Sequence, residues 1–244
     1  MGIFHRLQKI HDKTYPHCAM IVAAAGSSSR MGENKLFMPL AGVPVLMRTL
    51  RAVDAAAMVD EIVIAAREED MLAVADLCAR SGLNKPVKVV KGGQSRMESV
   101  LCAAMECDPK TEVIAVHDGA RPLVQPSMVD ELIRQGNQTY AVAPAIPVSD
   151  TIKVADAKGT VQGTPDRKSL FAVQTPQVFQ SSLLKAALQS AMANCTEVTD
   201  DCSAVEMIGK EVYLTEGDRE NIKITTPVDI VIAEAILRKR GQIL

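Results

Sequence analysis

The 244-residue chain has no tryptophan and only 3% aromatic residues, so its core must be built from Ala, Val, Ile, Leu and Met. Aliphatic cores of that kind suit parallel strands covered by helices. Charge is nearly balanced at −2, which withholds the basic stripe of a general nucleic-acid binder and leaves room only for a local basic pocket. No apolar run approaches the roughly 18 residues of a membrane span. Residues 1–17 lack the apolar centre of a signal peptide and read as a short polar extension, so a cytoplasmic protein without a membrane partner is expected. The six cysteines, Cys18, Cys78, Cys102, Cys107, Cys195 and Cys202, contain no C-x-x-C pair or other metal spacing. They fall mostly within apolar patterns and read as reduced core thiols. Two familiar glycine loops are also missing. Ser28 stands where G-x-G-x-x-G needs its second glycine, and no Gly-Lys-Ser/Thr closes a P-loop. A third kind of nucleotide loop is required if the chain binds a nucleotide.

What the chain does have is the stretch CAMIVAAAGSSSRMGENKLF, residues 18–37. Its apolar first part, residues 18–25, reads as a strand buried on both faces. Beyond Gly26, Ser27, Ser28 and Ser29 offer backbone amides and hydroxyls without bulk, a nest suited to a phosphate chain. Arg30 can fork onto phosphate oxygens and Lys35 supplies a mobile point charge, a combination that suits a triphosphate. Small-residue loops after a first strand also occur without any nucleotide, so this motif alone does not decide.

From Gly42 the pattern alternates. Helices are expected over 43–57, 68–80 and from Met97, strands over 61–66, 87–90, 113–116 and 140–145. Met71, Leu72, Ala75 and Cys78 form the expected buried stripe of the second helix; Met97, Val100, Leu101, Ala104 and Met105 form that of the third. This rhythm implies an α/β domain with a mostly parallel sheet, whose ligand lies at the carboxyl ends of the strands. Two further strand ends carry unusual residues. In KGGQSRMESV, Gly92 would allow close approach of a base and Ser95 stands at a helix start, although a tight turn with Ser95 as N-cap explains the same letters. In AVHDGARPLV, Asp118 follows a buried strand and needs a partner, which a Mg²⁺ ion between phosphate oxygens would supply.

Residues 147–170 break the rhythm and read as a hairpin with turn residues 156–159, too small for a core of its own and expected to pack on a second subunit. The domain plan is therefore an extension, 1–17, an α/β domain made of 18–146 and 171–244, and an inserted β-arm, 147–170. Later segments predict a helix over 182–192, a second opened by Thr199 as N-cap, a strand over 211–215, an extended piece over 221–224 and a last helix capped by Thr226-Pro227. Lys223, between Ile222 and Ile224, is expected to point into the cleft.

The ordered motifs AAAGSSSRMGENK, GGQSRMESV, HDGARP, PVSDTIK, DRKSLFAVQTPQVF, TDDCS and NIKITTP resemble the 2-C-methyl-D-erythritol 4-phosphate cytidylyltransferases, over nearly the whole chain from Cys18. The resemblance implies a Rossmann-like nucleotidyltransferase domain whose protruding β-arm makes a homodimer and lends residues to the partner's site. It implies CTP along Ala24, Ala25, Gly26, Ser27, Ser28 and Ser29, with Gly92 and Ser95 near the base and Asp118 as Mg²⁺ ligand. Arg30 and Lys35 would stabilise charge on the triphosphate. Arg167 and Lys223 would position the polyol phosphate, with Thr151, Arg121 and Thr199 around it. Residues 1–17 precede the family's usual start, and the three serines replace bulkier or basic residues. A ribitol 5-phosphate cytidylyltransferase shares nearly all these motifs, and a nucleotide-binding regulator without turnover is the reading from another class.

Overall fold

The computed structural model describes residues 15–26 and 34–243. Residues 1–14 of the extension, and Ser27, Ser28, Ser29 and Arg30 of the first loop, lie outside the described residues. The chain enters as β1 (Cys18–Ala24), then a two-stranded ribbon of β2 (Pro39–Leu40) and β3 (Val43–Pro44), followed by α1 (Val45–Asp54), β4 (Glu61–Ala66), a 3-10 turn (Glu68–Asp70), α2 (Met71–Ala79) and β5 (Val87–Lys91). Next come α3 (Arg96–Met105), β6 (Val113–Asp118), α4 (Pro126–Thr139) and β7 (Ala141–Pro147). The second half holds β8 (Val154–Ala155), β9 (Val161–Gly163), β10 (Phe171–Val173), β11 (Gln177–Gln180), α5 (Ser181–Ala193), α6 (Asp201–Met207), β12 (Tyr213–Glu216) and α7 (Pro227–Lys239).

The main sheet runs β5-β4-β1-β6-β11-β7, with β10 beside the far end of β7 and β12 on β7's other edge. Pairings β1–β4, β4–β5, β1–β6 and β7–β12 are parallel; β10 and β11 run against the rest. Alternation along β1 explains the two cores. Met20, Val22 and Ala24 face the side packed by Leu46 and Leu50 of α1, Leu132 of α4 and Leu237 of α7, whereas Ala19 and Ile21 face Val100 of α3, Leu184 of α5 and Val205 of α6. Because the chain leaves β1 toward β4 and returns on the other side as β6, the strand order reverses between β1 and β6. Open α/β sheets bind ligands at such a point, outside the carboxyl ends of the strands. Ala23 pairs with Asp118 there.

β8 and β9 form a separate two-stranded sheet closed by Gly159 at φ +81°. Ile152, Val154 and Val161 are exposed on it. Among the described residues no helix is long and apolar enough to cross a membrane.

Several expectations need correction. The helix expected from 43 starts at Val45, because residues 43–44 pair with 39–40. Leu72 is 85% and Met105 57% exposed, and Ala75 is exposed as well, so α2 buries Val74 instead. α2 is apolar nearly all round, and periodicity cannot choose its face. The N-cap of α6 is Asp200, whose side chain accepts from Ser203 N at 2.9 Å, and not Thr199. The strand over 211–215 runs Tyr213–Glu216. Residues 221–224 form no strand; Ile224 N donates to Ala120 O at 2.8 Å instead.

Candidate active site

At the reversal point between β1 and β6 lies a cavity of about 380 Å³. Its wall is assembled from strand ends. β1 contributes Ala24, Ala25 and Gly26; residues 34–36 bring Lys35; the end of β4 brings Arg67; the β5–α3 turn brings Gly93, Gln94, Ser95 and Arg96; and β6 ends on Asp118. Lys223 reaches in from the coil before α7. Gly92 stands behind this wall. A Cβ on it would sit 2.7 Å from Ala25 Cβ and 2.8 Å from Ser99 Oγ, so only glycine permits the approach of β5's end to β1's end. Ser95 both lines the cavity and caps α3, its side chain accepting from Glu98 N at 3.0 Å.

Asp118 is the electrostatic centre. Its side chain is 10% exposed and is met by Lys223 Nζ at 2.8 Å, Arg121 Nε at 3.5 Å and Arg96 Nη2 at 3.6 Å. Burial works against the charged carboxylate, but Lys223, Arg96 and Arg121 together hold its pKa far below the usual range. The partner that the sequence demanded for Asp118 is thus a ring of side-chain cations. Arg96 is itself anchored, with Nη1 2.7 Å from Asp201 Oδ2. Burial pushes the fully enclosed Asp201 carboxyl up and Arg96 draws it back. Gln177 accepts from the backbone N–H groups of Asp201 and Cys202 and donates to Asp200, fixing that helix start.

A neutral network supports Asp118 from below. His117 is fully buried, and burial lowers its pKa to about 4. Arg121 O can only accept, so His117 Nε2–H donates to it at 3.2 Å, Nδ1 of the neutral ring accepts from the Thr175 hydroxyl at 2.9 Å, and Thr175 Oγ1 accepts from the Asp118 backbone N–H at 3.1 Å. Each polar atom in the chain then has one role, and only the Nε2–H tautomer satisfies all of them.

The structure brings Ala24, Ala25, Gly26, Lys35, Ser95, Asp118 and Lys223 to one cavity, with Arg121 against Asp118. It does not bring Thr151, Arg167 or Thr199 there. Thr151 and Arg167 are exposed on the 147–170 segment, where Arg167 donates to Ser149 O at 2.9 Å. Thr199 is exposed and bonded to Ser203 Oγ at 3.1 Å. Sequence reasoning missed Arg96, Asp201, His117, Thr175, Ser99 and Arg67. Arg96 and His117 each flank a residue it chose, but pairing over 105 residues to Asp201 leaves no local signal. Among the described residues no group of three or more His, Cys, Asp or Glu is arranged to hold a metal. Mg²⁺ usually takes one or two carboxylates and completes its shell with substrate phosphates and water, so Asp118 could serve it once Lys223, now at 2.8 Å, turns to a phosphate.

Comparison with known proteins agrees with this geometry. A family model described as 2-C-methyl-D-erythritol 4-phosphate cytidylyltransferase matches residues 18–239. A curated relative of that name from Caldanaerobacter subterraneus is 43% identical over 226 residues, 90% of this chain and 98% of its own. One from Parasynechococcus marenigrum is 42% identical over 91% of this chain and 99% of its own. Of solved structures, the 4-diphosphocytidyl-2C-methyl-D-erythritol synthase from Anaerococcus prevotii superposes with a TM-score of 0.82 at 30% identity, over 91% of this chain and 99% of that one. With a match across nearly all of the chain, and with the motif-bearing strand ends gathered at one cavity, this chain belongs to the 2-C-methyl-D-erythritol 4-phosphate cytidylyltransferase family.

Proposed function

We propose that the chain transfers the cytidylyl group of CTP to 2-C-methyl-D-erythritol 4-phosphate, in the non-mevalonate route to isoprenoid precursors. An oxygen of the substrate phosphate attacks the α-phosphorus in line, the bond from that phosphorus to the bridging oxygen breaks, and pyrophosphate leaves. A phosphate monoester is already an anionic nucleophile at neutral pH, so no general base is required. The task is to hold two anions together and to neutralise charge that builds on the leaving group.

The observation that carries this reading is the cationic ring, Arg96, Arg121 and Lys223, converging on Asp118 at the reversal point of the sheet, in the cavity that Lys35 also lines. Asp118 would hold Mg²⁺, which, when bound, offsets phosphate charge. Lys35, with Arg30 in the first loop, serves the triphosphate; Lys223 and Arg121 serve the polyol phosphate. Thr151 and Arg167 lie outside this chain's own cavity, so they act in the site of a second copy, and the active form is a homodimer joined through residues 147–170. A cytoplasmic setting, in which the six free cysteines stay reduced, belongs to the same reading.

The test is pyrophosphate release with CTP and Mg²⁺. Turnover with 2-C-methyl-D-erythritol 4-phosphate, and little with ribitol 5-phosphate or with ATP, GTP or UTP, is the expected result. A preference for ribitol 5-phosphate would move the assignment to another polyol, and no release with either would leave a nucleotide-binding protein.

A further inference from the structure

The turn after β4 carries three successive carboxylates, Glu68, Glu69 and Asp70, beside a cavity read as a triphosphate site. Each carboxylate is occupied. Lys91 meets Glu68 at 2.6 Å, and Arg67 Nη1 meets Glu69 at 3.0 Å. Asp70 Oδ2 receives three donors: Arg67 Nε at 2.7 Å, Arg67 Nη2 at 2.6 Å and Asn34 Nδ2 at 2.9 Å. The Arg67–Asp70 pair alone would be a local ion pair. The bond to Asn34 reaches 36 residues along the chain, to the residue directly before Lys35.

Asn34 bonds the two residues that follow that lysine, closing a turn around it. Its Oδ1 accepts from Leu36 N at 3.2 Å and its main-chain carbonyl accepts from Phe37 N at 3.0 Å. Lys35 therefore stands in a turn whose frame is tied by one side chain to Asp70. A lysine is a point charge on a long flexible stem, and the volume its ammonium sweeps depends on where its Cα is fixed. We infer that Asp70, oriented by Arg67 and acting through Asn34, is a positioning residue for Lys35 during nucleotidyl transfer. The inference rests on the reading of Lys35 as a contact of the triphosphate.

The test exchanges the two polar partners. Asn34→Asp sets two carboxylates against each other, Asp70→Ala removes the anchor, and the double variant Asn34→Asp/Asp70→Asn moves the carboxylate to position 34, where it can accept from the new amide at position 70 while Arg67, which shares Asp70 Oδ2 with Asn34, stays beside a carboxylate. Each single change is expected to lower kcat with CTP by about tenfold or more, while leaving KM for the polyol phosphate within about threefold, since misplacing a group that acts at the reacting centre costs rate. The double variant is expected within about threefold of the parent, and all thermal midpoints within a few degrees. Single variants with parental kcat, or a deficit that the exchange fails to recover in a folded protein, would overturn the inference. Calorimetric CTP titration of the same proteins separates it from the functional reading. If the parent binds CTP without turnover, the proposed reaction fails and the same ranking in CTP affinity decides for or against the clamp. If the parent binds no CTP, both fall.

Discussion

Three cations, Arg96, Arg121 and Lys223, converge on Asp118, and Lys35 lines the same cavity, so its wall offers several cationic donors to an anion. Lys223 is the most exposed of the three at 40%, and Arg96 and Arg121 would still neutralise Asp118 without it. Lys223→Met is therefore expected to fold normally and to lose about 100-fold or more in kcat, roughly 3 kcal/mol, with KM for CTP changed much less. Steady-state kinetics would show it, and a change confined to KM would mean that Lys223 only binds. His117 offers a prediction of the opposite kind, on stability. Its pKa is about 4 in the folded chain against 6.5 ordinarily, so the neutral ring stabilises the fold above pH 6.5, and that contribution is lost as the pH falls through 4. The full effect is about 3 kcal/mol. Urea unfolding at pH 7 and pH 4.5 should show a smaller acid loss for His117→Gln than for the parent.

At the scale of elements, Gly92 joins two strand ends that a side chain would push apart. Gly92 N donates to Ala66 O at 2.7 Å, which leaves no freedom for the turn to retreat from Ala25. Gly92→Ala is expected to destabilise the protein by about 1–3 kcal/mol in denaturant unfolding and to weaken CTP binding, because Ala25 lines the cavity. The same elements show what was legible in the sequence. β1 and β4 were readable as continuous apolar runs because both faces are covered, and Ser95 and Thr226 announced helix starts that carry real caps. α2 was readable as a helix but its buried face was not, since Met71, Leu72, Val74, Leu77 and Cys78 surround it and only the neighbouring sheet selects Val74. For the site, strand-end residues such as Asp118 stood out by being polar after an apolar run. Arg96–Asp201 and Asn34–Asp70 did not, because each joins segments that only the fold makes neighbours.

At the scale of the molecule, the 147–170 segment holds exposed Ile152, Val154 and Val161 on a ribbon without a core of its own, and Phe171 and Val173 just beyond it are exposed as well. In the proposed homodimer a second copy would cover this apolar surface, each ribbon lying on its partner. If Arg167 acts across that interface, Arg167→Ala damages the partner's site while Lys223→Met damages its own. The two variants, each inactive alone, should then complement. In a mixed dimer one site carries an intact Lys223 and receives an intact Arg167, and the other site carries both defects. Random re-association makes half of the dimers mixed, so activity should recover to about a quarter of the parental value. Pyrophosphate release after unfolding and refolding the two variants together measures it, with sedimentation to report the dimer. Arg167 acting within its own chain would leave both sites of every mixed dimer defective, and the mixture would stay as inactive as its components.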